Sequence, residues 1–173
     1  AEANWVELVA HQPGARIVDI DGFDGYVVLS EWAGGREQVR VLHDDGRSEI
    51  LGFDEPVHSV GLGGNPEYTT RTLRLGYQSM TTPASVLEHD LDTGGRVVLK
   101  RTPVLGGVDL GAYRAERQWA TSADGTLVPV DVMQRTAGPV RAVLLYGYGS
   151  YEASIPPYFS IPRLSLLDRG VAF

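Results

Sequence analysis

The segment Gly147-Tyr148-Gly149-Ser150-Tyr151 sets two phenols and a hydroxyl beside two glycines, directly after the apolar run Ala142-Val143-Leu144-Leu145-Tyr146. Open α/β sheets place ligands outside the carboxyl ends of their strands, so a loop at this point is a candidate site. The glycines let the backbone turn sharply and could aim the two tyrosines into a crevice. A phenol can donate a hydrogen bond to an oxyanion, a contact worth ~3 kcal/mol of transition-state stabilisation. The same residues also fit a glycine-rich strand exit with two packing tyrosines.

Other chemistry is sparse. A nucleophile elbow needs Gly-x-Ser-x-Gly, whereas Ser150 is followed by Tyr151 and Glu152. No His follows His89, so the hydrolase order of Ser, acid and His cannot be assembled. Ser150 and Ser154 are therefore read as turn or capping hydroxyls, and no nucleophile, acid or base is assigned. The histidines His11, His43, His58 and His89 show no metal-binding spacing, so no metal or other cofactor is expected. Gly61-Leu62-Gly63-Gly64-Asn65-Pro66 looks superficially like a phosphate loop. Pro66 and the β-branched Thr69 and Thr70 argue against a helix there, so it reads as a loop between blades. Asp44-Asp45 and Asp90/Asp92 read as turn residues.

These features must be positioned by a chain of 173 residues with 15 Lys+Arg against 22 Asp+Glu and a net charge of −7. No basic excess is available to neutralise phosphates, which excludes nucleic acid as an expected partner. Zero Cys removes disulfides, thiolate metal sites and thiol nucleophiles, and fits a reducing, cytoplasmic location. No apolar run approaches the roughly 18 residues of a membrane span. The start, Ala1-Glu2-Ala3-Asn4-Trp5, has no signal-peptide layout, and Val171-Ala172-Phe173 looks like a strand just beginning. Both ends are expected to lie inside a longer chain.

With 21 Gly and 10 Pro, short strands and turns are expected over long helices. Residues 16–20 lead to Asp21-Gly22 and then to a strand over 26–32. Residues 38–43 run into Asp44-Asp45-Gly46 and return at 48–51, as an Asp-Gly turn between β-rich runs predicts. The pattern recurs about 46 residues later, at Ser85–Gly94 and Val97-Val98-Leu99, preceded by strands at 57–62 and 70–77. His43 and His89 match in the repeat, which suggests a shared structural role. Two four-stranded propeller blades is the economical reading, and two halves of a sandwich is the alternative. Past Gly106-Gly107 the texture changes. A hairpin turns at Asp124-Gly125, and residues 141–146 suit a strand buried on both faces. A helix from Ser160 to Asp168 follows, with Pro162 in its first turn, a stripe of Leu164, Leu166 and Leu167, and a left-handed Gly170 at its end. The expected fold is thus mainly β: 1–107 as about two blades, then 108–173 as the opening of an α/β sheet.

Several runs carry a resemblance. They are Asn65-Pro66-Glu67-Tyr68, Leu73–Met80 with Thr82-Pro83, Glu116-Arg117 and Asp124-Gly125-Thr126. The most specific are Leu145–Tyr151, Phe159-Ser160 and Arg163–Gly170. In collinear order over essentially the whole chain, the sequence resembles the prolyl oligopeptidase family of serine peptidases, most of all its oligopeptidase B branch.

The resemblance implies the last blades of a seven-bladed β-propeller that caps the active site, followed by the N-terminal strands of an α/β-hydrolase domain. It implies a parent that cleaves short peptides after Arg or Lys through an acyl-enzyme, with the propeller excluding folded proteins. The catalytic Ser, Asp and His would lie beyond Phe173, leaving this stretch inactive alone and partnered by the rest of the enzyme. Tyr148 matches the tyrosine whose hydroxyl completes the oxyanion hole, and Tyr151 an aromatic wall of the primary specificity pocket. Some members of the branch carry two aspartates just after this loop. Here Ile155-Pro156-Pro157-Tyr158 has none and Glu152 is the only acid nearby, so a dibasic preference is not implied. Cleavage after Pro, or a non-catalytic β-rich binding module, are the alternatives.

Overall fold

The computed structural model describes residues 4–151 and 153–173. Strands β1 (Ala15–Phe23), β2 (Tyr26–Ala33), β3 (Arg36–His43) and β4 (Ser48–Ile50) form one antiparallel sheet in chain order. Strands β5 (His58–Leu62), β6 (Thr72–Ser79), β7 (Ser85–Asp90) and β8 (Arg96–Arg101) repeat that meander. Period-two alternation explains the faces: Val39, Val41 and His43 of β3, and Ser85, Leu87 and His89 of β7, point inward. The two sheets share one core, in which Tyr26, Val28, Val39 and Val41 meet Val60, Leu73, Leu75 and Leu87. Burial of each large apolar side chain there contributes about 1.5–3 kcal/mol. Polar bonds add direction between the sheets: the Tyr26 hydroxyl donates to the Thr70 carbonyl at 2.8 Å, and Ser59 donates to Glu37.

His43 and His89 end their strands alike, both buried, His43 against Glu49 (3.1 Å) and His89 accepting from Arg96 (3.2 Å). Two expectations are corrected. The first hairpin turns at Asp24-Gly25, and Asp21-Gly22 lies inside β1, because the register Phe23↔Tyr26 stacks those two buried rings at 4.9 Å. The Gly61–Pro66 stretch connects β5 to β6 within one sheet, not two blades. It is pinned by Gly63 N donating to the Arg74 carbonyl and Arg74 N donating to the Asn65 side chain.

The remaining chain opens with a short 3-10 turn at Leu110–Ala112 and the hairpin β9 (Tyr113–Thr121) and β10 (Leu127–Arg135). Then come β11 (Ala142–Val143), α1 (Ile161–Leu167) and β12 (Val171–Ala172), with β11 and β12 parallel. Ser160 occupies the N-cap position of α1 and Pro162 its first turn, and Gly170 leaves the helix at φ +81°. The expected strand over 141–146, buried on both faces, is shorter and more open. Only Ala142-Val143 form a ladder, extended by Leu144 N donating to the Ala172 carbonyl, while Leu145 is 83% exposed. Among the described residues β11 is paired on one edge alone, to β12. A second core joins the sheets to this part, through Val57, Met80, Tyr113, Met133, Leu164 and Leu167.

Candidate active-site cleft

The hairpin β9–β10 decides where the cleft lies. Arg117 on β9 and Asp131 on β10 are cross-strand neighbours and pair through two bonds. The free arm of Arg117 donates to the carbonyls of Gly35 (2.8 Å) and Gly34 (3.3 Å) in the β2–β3 turn. At its other end, Met133 of β10 exchanges both backbone hydrogen bonds with Phe173, at 2.7 and 2.9 Å. The hairpin thus spans from the first sheet to β12.

Beside it opens a cleft of about 860 Å³, walled by Trp32, Gly35 and Met80 from the sheets, and by β10 and residues 143–149 and 153–158 from the other part. Tyr148 lines this cleft and is 53% exposed, not sealed in a packed core. Tyr151 stands apart: it is 94% exposed, has φ +56° and does not line the cleft. The Ser150 carbonyl accepts from Ala153 N at 3.1 Å, so Ser150 belongs to a turn. Glu152 lies outside the described residues.

Sequence reasoning missed the floor of the cleft. Arg163 is 5% exposed and sits on the buried stripe of α1 with Leu164 and Leu167. Its guanidinium lies 4.0 Å from the Phe173 ring centre and 4.7 Å from that of Tyr158, and Nη1 donates to the Tyr158 carbonyl at 2.8 Å. Burial pulls its pKa down, yet an arginine stays a cation at any working pH. One signal was available, an arginine inside an apolar helical period. Trp32, by contrast, reaches the same cleft as Tyr148 through long-range docking, with the β9–β10 hairpin holding the β2–β3 turn.

Residues 1–102 match the family model for the prolyl oligopeptidase N-terminal β-propeller domain. The chain belongs to the prolyl oligopeptidase family. The two sheets are therefore propeller structure and not halves of a sandwich. Among curated relatives, dipeptidyl aminopeptidase BI of Pseudoxanthomonas mexicana is 44% identical over 98% of this chain and 24% of its own length. Protease 2 of Moraxella lacunata is 30% identical over 97% of the chain and 25% of its own length. The structure of oligopeptidase B from Trypanosoma brucei aligns with a TM-score of 0.81 at 34% identity, over 95% of this chain and 25% of that one. Leishmania major oligopeptidase B aligns at 0.83 and 29%, over 99% and 26%. The chain spans about a quarter of the length of these family members. No helix among the described residues is long and apolar enough to cross a membrane.

Proposed function

We propose that this chain is the stretch of a serine peptidase in which the propeller meets its catalytic domain. Residues 1–107 supply about two blades, and residues 108–173 open an α/β-hydrolase domain, with β11–α1–β12 as its first parallel crossover. The intact enzyme hydrolyses short peptides after Arg or Lys through an acyl-enzyme, and its nucleophile, acid and base come from elsewhere in the protein. The Tyr148 hydroxyl donates to the oxyanion, and Tyr151 flanks the primary specificity pocket once the rest of the enzyme is in place.

One observation carries this reading: Tyr148 stands at the exit of β11 on the wall of a cleft whose opposite wall is the propeller. The Trypanosoma brucei enzyme was solved with covalently bound antipain, which supports a covalent intermediate. The 44% identity to a dipeptidyl aminopeptidase favours a second reading, release of dipeptides from a free N-terminus. Assays of the intact enzyme on fluorogenic peptides with Arg, Lys or Pro before the scissile bond, each with a free and a blocked N-terminus, separate the readings. Turnover of blocked Arg and Lys substrates is expected. Turnover of none of them would overturn the peptidase reading.

A further inference from the structure

We propose that Arg163 is a carboxylate-binding site in the cleft floor, and that the carboxylate it receives is the C-terminus of the bound peptide. The proposal rests on the peptidase reading. A guanidinium removed from water is costly unless an anion accompanies it, and arginines are almost never fully buried unpaired. Among the described residues no carboxylate forms an ion pair with Arg163. A backbone carbonyl and two aromatic faces hold the guanidinium plane in place, and neither neutralises it.

Among the described residues the guanidinium donates one hydrogen bond, from Nη1, and the side chain lines the cleft. Its remaining donors have the fork geometry that fits two carboxylate oxygens. The other charged groups described along the cleft, Arg117 and Asp131, satisfy each other. Its described lining therefore carries one uncompensated positive charge, on the same cleft as Tyr148. A peptide cut near its end brings a carboxylate close to the reacting carbonyl, whereas a bond deep inside a long polypeptide brings none. Arg163 thus favours short substrates by recognising their terminus, independently of any steric filter.

The test uses the intact enzyme and pairs of peptides identical except for a C-terminal acid or amide, with varied lengths after the scissile bond. At the best length, the acid is expected to exceed the amide in kcat/KM by about 10- to 100-fold, the effect of a charge-assisted hydrogen-bonded pair. Arg163→Gln is expected to bring that ratio to about one, and Arg163→Lys to retain part of it. The lysine variant also covers a failure of the glutamine variant to fold. A wild-type ratio within about twofold of one at every length, or a ratio that survives in Arg163→Gln, overturns the proposal. A lower melting temperature in Arg163→Gln with the ratio unmoved assigns the carboxylate to the protein's own chain and also overturns it. Should no peptide be hydrolysed, the peptidase reading fails. Calorimetric titration of the same acid and amide peptides then decides the site itself.

Discussion

Arg117 and Asp131 face each other across the β9–β10 hairpin as a two-pronged ion pair, Nε to Oδ1 at 2.6 Å and Nη2 to Oδ2 at 2.8 Å. Both side chains are largely withdrawn from solvent, at 12% and 20% exposure, and the third arm of the arginine holds the β2–β3 turn. Arg117→Met removes all of these bonds and strands a largely buried carboxylate, so about 2–3 kcal/mol of stability should be lost. Urea unfolding of the intact enzyme measures it, with Arg117→Lys expected to recover only part.

Two neighbouring glycines should respond unequally. Gly34 and Gly35 both have positive φ, +57° and +72°, so alanine at either is strained by about 1 kcal/mol. A Cβ on Gly34 meets nothing within 4 Å, whereas one on Gly35 comes within 2.7 Å of Pro129 Cγ. Gly35→Ala should therefore cost visibly more, because it also pushes the hairpin off the turn. Equal melting temperatures for the two variants would contradict this packing.

In the intact enzyme, Tyr148→Phe should lower kcat by roughly 10²–10³ with little change in KM, as expected when a donor acts on the oxyanion alone. Ser150→Ala should leave kcat within about threefold, since a turn position carries no step. Steady-state kinetics on one fluorogenic substrate checks both.

Acid should destabilise the propeller part in two stages. Burial holds His58 and His89 below their ordinary value of 6.5, with Arg96 adding to the effect on His89. As pH falls through 6.5 the unfolded chain takes up protons that the folded histidines refuse, so stability declines. Glu55 acts lower down. Its burial alone would raise its pKa, but the hydroxyls of Ser79, Thr81 and Tyr77, each at 2.6 Å, outweigh that and leave it below the ordinary 4.5. Its contribution is present above pH 4.5 and disappears as pH falls through the folded value. Denaturation midpoints across pH should show both limbs in the wild type, and Glu55→Gln should shrink the lower one, to which the hydrogen-bonded Asp45 and Asp90 also contribute.

The 173 residues produced alone should associate and hydrolyse no peptide. β1 exposes Ile17, Val18 and Ile20, β8 exposes Val97, Val98 and Leu99, and Val143 and Leu145 are open beside a strand paired on one edge. Such edges and patches recruit other chains. A monodisperse monomer in light scattering would count against this.

Sequence reading succeeded where local chemistry decides. The eight propeller strands follow from alternation and turn residues, and α1 from Pro162 and Gly170, while Ser160 holds the N-cap position without a side-chain capping bond. It misplaced the first turn because Asp21-Gly22 and Asp24-Gly25 are equivalent as local signals. The choice between them is made by stacking Phe23 on Tyr26, a cross-strand contact. It expected residues 141–146 to be covered on both faces, which is decided by tertiary packing and not by an apolar run, and Val143 and Leu145 are exposed. In the cleft, the loop around Tyr148 was legible from its glycines. The opposing wall was not, since long-range docking brings Trp32 and Gly35 to it, and the buried guanidinium left one trace, an arginine within an apolar helical period.

Because one ribbon grips a propeller turn at Arg117 and is stitched to Phe173 at Met133, it works as a caliper. The gap between the jaws is set by a regular, hydrogen-bonded antiparallel pair of fixed length and not by the irregular loop that bears Tyr148. The width of the cleft beside that ribbon is therefore fixed at two hydrogen-bonded anchors, one at each end of the hairpin.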